Sequence, residues 1–160
     1  MNKVLLVLCC TLCLISLTAC PKQIHETQEQ PASQYTFTKD GSLTIHDSHG
    51  TELGLFDIEI ASTVIKRQIG LMYRESMESN QGMLFEFDEI DTHGFWMKNT
   101  YLPLDIIFID ADKNIVEIAE NTTPFSEETI IPQKPIKYVL ELKSGTSKQM
   151  NIQAGNKVSW

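Results

Sequence analysis

The chain has 160 residues, a length that suits one domain and would be cramped for two. With 42% hydrophobic and 21% charged residues it has globular composition, not that of a disordered chain. Thirteen Lys plus Arg face 21 Asp plus Glu, and the net charge of −8 argues against nucleic acid as a partner, because non-specific phosphate binding needs surplus cations.

The N-terminus reads as a targeting segment. Lys3 precedes an uncharged apolar run at 4–17, too short to span a bilayer as a helix. The run ends at Leu17-Thr18-Ala19-Cys20, which resembles a bacterial lipoprotein signal: cleavage precedes a Cys whose thiolate has accepted a lipid. The alternative is an ordinary secretory signal cut after Ala19. All four cysteines (Cys9, Cys10, Cys13, Cys20) fall in the first 20 residues, so the mature chain would keep only the acylated Cys20. No disulfide or thiolate chemistry is then expected in the folded part. Two or more acyl chains anchor stably, so membrane lipid is an expected partner. The expected location is the cell envelope, outside the cytoplasm. Pro21, where Asp would resemble an inner-membrane retention signal, leans toward an outer membrane facing the periplasm if the source has two membranes. The division is thus a signal peptide at 1–19, lipidated Cys20 with a polar tether to 34, and one β-rich domain at 35–160. The tether, which includes His25, would reach roughly 45–50 Å at ~3.3 Å per residue.

From Tyr35 onward short strands alternate with turns. Lys39-Asp40-Gly41 predicts a hairpin turn between strands at 35–38 and 42–46. Residues 55–60 alternate, with Phe56, Ile58 and Ile60 inward. Residues 63–73 take a helical period, Ile65, Ile69 and Met72 sharing a core face and Ser62 a plausible cap. Further strands are expected at 83–87, 94–98, 104–109, 115–119 and 138–142, with a tight turn at 110–114 and a long loop at 121–135. A short helix near 146–151 and a strand near 157–160 follow. The fold class is mainly β: a small β-sandwich or squashed barrel with two short helices.

Few chemical motifs are present. There is no phosphate loop, nucleophile elbow or H-E-x-x-H, and the histidines (His25, His46, His49, His93) lack metal-ligand spacing. Asp110-x-Asp112-x-Asn114 opens like a calcium loop but has Ile115 and Asn121 where Gly and Glu are needed, so a hairpin turn accounts for it better. The acidic run Glu86, Asp88, Glu89, Asp91 reads as a solvated strand end. Asp105 opens the apolar run 104–109 on the face of Ile107 and Ile109, where a carboxylate needs a partner, Lys98 or Arg67. Trp96 and Lys98 share a face if 94–98 is a strand. An aromatic plate beside a cation, an amide and a carboxylate suits a small polar ligand; the same residues could equally be a buried ion pair fixing strand register.

Arg67-Gln68-Ile69-Gly70-Leu71-Met72-Tyr73-Arg74, Gly82-Met83-Leu84-Phe85, Trp96-Met97-Lys98-Asn99-Thr100, Pro103-Leu104-Asp105 and Val139-Leu140-Glu141-Leu142 resemble, in this order, domain of unknown function family 192 over residues 50–160. The resemblance implies a small mainly β fold, often secreted or lipid-anchored in bacteria, and no activity. By position it carries Arg67, Arg74, Lys98, Asn99, Asp105 and Glu141. The usual Gly-Asp near the C-terminus is Gly155-Asn156 here, so a charge at 156 is not essential.

The resulting expectation is an envelope lipoprotein acting as a binding or accessory module for a small polar ligand or an envelope protein. Its candidate cleft is Arg67, Trp96, Lys98, Asn99 and Asp105, with no catalytic residue, metal ligand or cofactor assigned. Two alternatives stay open. A copper(I) site could use Met72, Met83, Met97, His93 and Trp96. A hydrolase-like enzyme could use Lys98, Asp105 and Glu141, with Glu141 sharing the parity of Val139.

Overall fold

The computed structural model describes residues 36–160. Cys20 and the expected signal segment and tether lie outside the described residues. Seven strands and two short helices follow in chain order: β1 (Gly41–His46), β2 (Glu52–Ala61), α1 (Val64–Ile69), β3 (Gln81–Asp91), β4 (Leu104–Ile109), β5 (Ile115–Ala119), β6 (Ile136–Lys143), α2 (Thr146–Gln149) and β7 (Lys157–Ser159). They make one curled, half-barrel sheet of order β5-β4-β6-β3-β2-β1-β7. The fold is mainly β, as the alternation of the sequence implies.

The sheet curls until its outer strands meet. Asn114 bridges Lys157, Ile115 N–H donates to Asn156 O at 2.9 Å, and Gly155 N–H donates to Ile115 O at 2.8 Å. These bonds serve backbone groups that an edge strand would leave open. Asn156 is buried, and its Oδ1 accepts from Gln153 N–H at 2.7 Å, so an amide oxygen suffices at this position.

The central strands are buried on both faces. Leu43, Ile45, Phe56, Ile58, Leu84, Ile107, Ile109, Leu140 and Leu142 fill the concave core. Met83, Phe85, Leu104, Ile106, Phe108 and Val139 point to the other face, where Leu71, Met77, Phe95 and Met97 cover them. Hence every residue of β4 is buried, because a strand covered on both faces carries a continuous apolar run. β2 and β3 are parallel, and α1 forms the crossover between them. That connection lays α1 against the second face and creates the grooves described below.

Several local expectations change. Residues 36–40 are not a strand; the hairpin is β1–β2, closed by Asp47, whose Oδ1 accepts from His49 and Thr51 N–H at 2.8 Å each. Thr63, one residue beyond Ser62, caps α1 by accepting from Lys66 N–H at 3.2 Å. No residue of α1 is buried: Ile65 is 69% and Ile69 43% exposed, so the expected core face is absent. Leu71, just past the helix, holds it down instead. Residues 94–98 form only an isolated bridge, Phe95 to Ile130, so Trp96 and Lys98 are on a loop. Asp110 folds the 110–114 turn by accepting from Asp112 and Asn114 N–H, and no cluster of acidic or His residues fit for a metal exists among the described residues.

Candidate functional site

Glycine at position 70 starts the site. Its φ of +50° turns the chain out of α1, and a Cβ there would stand 3.2 Å from Phe85, so the backbone lies directly on the sheet. The next residues bury Leu71 and bring Arg74 back over β2. Tyr73 N–H donates to Asn99 O and Asn99 Nδ2 donates to Tyr73 Oη, both at 2.8 Å. This two-way link joins the segment after α1 to the 94–100 loop. Asn99 has φ +54°, a left-handed conformation that Asn tolerates better than most residues.

Between α1, the 94–100 loop and the sheet lies a cleft of about 100 Å³. Phe85, Phe87, Phe95 and Trp96 line it with Met72, Arg67, Gln68 and Thr100, and Glu141 on β6 also lines it. On the far side of α1 a second groove of about 360 Å³ is lined by Thr38, Glu59, Lys66, Arg74 and Met83. Ile69 and Gly70 border both.

One row across the sheet connects the two. Glu59 on β2 is in register with Met83 on β3, Met83 with Glu141 on β6, and Glu141 with Ile106 on β4. The two carboxyls therefore sit on the same face two strand spacings apart, about 10 Å at the backbone. Glu59 accepts from Thr38 N–H at 2.9 Å and is ion-paired with Arg74, both side chains being nearly buried. Glu141 is 5% exposed. No hydrogen bond or ion pair holds its carboxyl among the described residues, and Arg74 acts on it only through its charge. Burial pushes its pKa from 4.5 up to about 8, against the opposing pull of Arg74. At neutral pH Glu141 is thus mostly a neutral acid, able both to donate and to accept.

The sequence candidates separate. Arg67 and Trp96 line the first cleft; Lys98, Asn99 and Asp105 do not. Arg67 is a clamp: Nη1 donates to Ser62 O (2.7 Å) and Glu86 O (2.6 Å), Nη2 reaches Asp88 (3.4 Å), and the guanidinium lies over Phe87. Trp96 is 43% exposed with the Lys98 ammonium over its ring, and Lys98 pairs at 3.6 Å with Glu127 at the surface. Asp105 has neither Lys98 nor Arg67 as its partner. It is fully buried and accepts from three backbone N–H groups, Asn121 (3.0 Å), Gly145 (3.2 Å) and Ser147 (2.9 Å), fastening two loops to the start of α2.

That geometry also separates the alternative constellations. Asp105 shares the concave face with its register partner Leu142, whereas Glu141 points to the opposite face, so they cannot serve one reaction centre. The methionines divide as well: Met72 lines the cleft, Met83 the second groove, and the Met97 sulfur accepts from Thr122 Oγ1 at 3.1 Å. His93 stacks on Phe87 with centroids 3.8 Å apart. Glu59 is the site residue that sequence reasoning missed. Its signal was indirect: apolar residues on both faces of β3 imply that Glu59, beside it on β2, is covered too.

Residues 44–160 match the family profile DUF192, described as "Uncharacterized ACR". A UPF0127 protein of Pyrococcus abyssi is 35% identical over 105 residues, covering 64% of this chain and 85% of that protein. Another, of Pyrococcus horikoshii, is 27% identical over 106 residues, 65% and 87% of the two chains. Two solved structures each superpose with a TM-score of 0.71 over 74% of this chain. One, from Sinorhizobium meliloti and named as a candidate transcription regulator, is 40% identical and covered over 91% of its length. The other, from Novosphingobium aromaticivorans and of unknown function, is 34% identical and covered over 84%.

Proposed function

The chain belongs to the DUF192 family, which prescribes no activity, and we propose from the cleft itself that it is a binding module for a small polar ligand, carried in the cell envelope on a lipidated Cys20. The observation that carries this reading is Glu141: a buried carboxyl with no hydrogen-bond partner among the described residues, lining a cleft with aromatic walls. A ligand that completes the bonding of this carboxyl gains affinity by it. Arg67, Trp96 and Glu141 then form the site; Asp105 builds the frame, and Asn99 holds the rim by its link to Tyr73. The anchor is supported by Lys3, the apolar run 4–17 and the Leu17–Cys20 context. The regulator designation of the Sinorhizobium protein is not carried over, because a net charge of −8 disfavours a phosphate backbone.

The test is a thermal shift of the full chain against metals, glycans, nucleotides, amines and small anions. A ligand that binds only the folded state raises the apparent Tm. Support is a hit weakened in Trp96→Ala and lost in Glu141→Gln. A hit on copper that both variants keep, or silence across the panel, sinks the cleft reading, the latter in favour of a protein partner found by cross-linking in the intact envelope.

A further inference from the structure

The charges around the cleft do not balance within the protein, and the imbalance has a sign. Two carboxyls, Glu59 and Glu141, face one guanidinium, Arg74, along the same row of the sheet. Arg74 is committed to Glu59. Of the other cations near the cleft, Arg67 is spent on two backbone carbonyls and Asp88, and the Lys98 ammonium stands over Trp96 and pairs with Glu127. The remaining neighbours of Glu141 add no charge: Met83 and Ile106 flank it on β3 and β4, and Thr100 comes from the loop. Farther along β6, Lys143 is engaged by Met77 O. His93 is held at the edge against Phe87 and Glu89 O. Among the described residues the cleft therefore has its cations used and one carboxyl to spare, beside the rings of Phe85 and Phe95, which carry no cation of their own.

Resting on the binding-module reading, we propose that the ligand class is an organic cation, with a primary ammonium group on an apolar stem that enters the cleft and pairs with Glu141. An anion would find no unspent cation there among the described residues. The volume suits the tip of such a molecule: about 100 Å³ holds on the order of three or four water-sized groups. Without ligand, a proton on Glu141 covers the missing positive charge. On binding, the ammonium replaces it and the proton leaves to solvent, so charge is conserved and association is linked to proton release.

The experiment titrates n-propylammonium, with 1-propanol as its neutral counterpart, into the full chain in detergent and follows the Trp96 indole signal and the heat of binding. The expected result is saturable binding of propylammonium and none of propanol at the same concentrations. Affinity falls about tenfold per pH unit below pH 8, and close to one proton is released per ligand at pH 7 by comparison of buffers with different ionisation heats. Glu141→Gln abolishes the binding and its pH dependence; Trp96→Ala, at an exposed position that does not disturb the core, weakens binding without changing proton release. Binding of propanol but not propylammonium overturns the ammonium class and leaves the cleft reading standing. Propylammonium binding without proton release, or binding that survives Glu141→Gln, also overturns it. If neither probe moves Trp96, both readings fall.

Discussion

Replacing Glu141 by Gln removes the ionisable group while keeping shape and polarity, and the consequence for stability has a definite sign. In the folded chain Glu141 titrates near 8, against 4.5 for an unperturbed Glu, because burial penalises its charged form. Between those pH values the folded state holds a proton that the unfolded state has lost. The contribution of Glu141 to stability is therefore fully present below pH 4.5 and is lost as pH rises through 8. The slope is about 1.4 kcal/mol per pH unit, and across the interval the loss is on the order of 5 kcal/mol, a large part of the 5–15 kcal/mol typical of a domain. Urea unfolding of wild type and Glu141→Gln at half-unit steps from pH 4.5 to 9 reads this directly. The two proteins are expected to be nearly equally stable at pH 4.5, and the variant is expected to lead by several kcal/mol at pH 8. Other groups titrate identically in both proteins, so only the difference counts. Parallel curves across the range would refute the claim that the carboxyl is buried without a partner.

Three other substitutions probe the frame and the proposed anchor. Asp105→Asn turns one acceptor toward backbone donors as a second donor, and should cost about 2–3 kcal/mol in a thermal or denaturant melt; an unchanged melt contradicts the fastening role. Arg74→Met strips the buried Glu59 of its cation and should cost about 3–5 kcal/mol, with much of the loss recovered in the Glu59→Gln/Arg74→Met double variant. Failure of that recovery would mean Arg74 acts by other contacts. Cys20→Ala should move the protein from the membrane fraction to the soluble fraction with an unchanged melt; retention in the membrane fraction contradicts the anchor.

The sheet was legible wherever side-chain periodicity alone decides the structure. β4 and β5 have the predicted bounds, since a strand buried on both faces and a strand beginning just after an Asp-rich turn leave little choice. The parity of Asp105 was also readable, with Ile107 and Ile109 on the concave face. Its partners were not, because backbone amides up to 42 residues away carry no sequence signature. The period of α1 suggested a buried face, but a short crossover anchored by Leu71 beyond its end has no need of one. The stretch 94–98 looked like a strand yet forms a single bridge, to Ile130, and one backbone bond to Ser126, so the strand parity assumed for Trp96 and Lys98 had no basis. Alternation in β2 sends Glu59 outward, correctly, but outward here is a second covered face. The pairing of Glu59 with Arg74, and their proximity to Glu141, arises from strand order, which places β2, β3 and β6 side by side although β6 follows 45 residues after β3.

The chain has two tryptophans, and they stand in different surroundings: Trp96 at the cleft, and Trp160 against Tyr138 and Lys113. Labelling both indoles with 15N gives one reporter at the proposed site and one internal control. Titration with the compound that most raises the Tm should move the Trp96 signal, leave Trp160 in place, and leave both unmoved in Glu141→Gln. Movement of Trp160 alone, or of Trp96 undiminished in Glu141→Gln, would contradict a site built on Glu141.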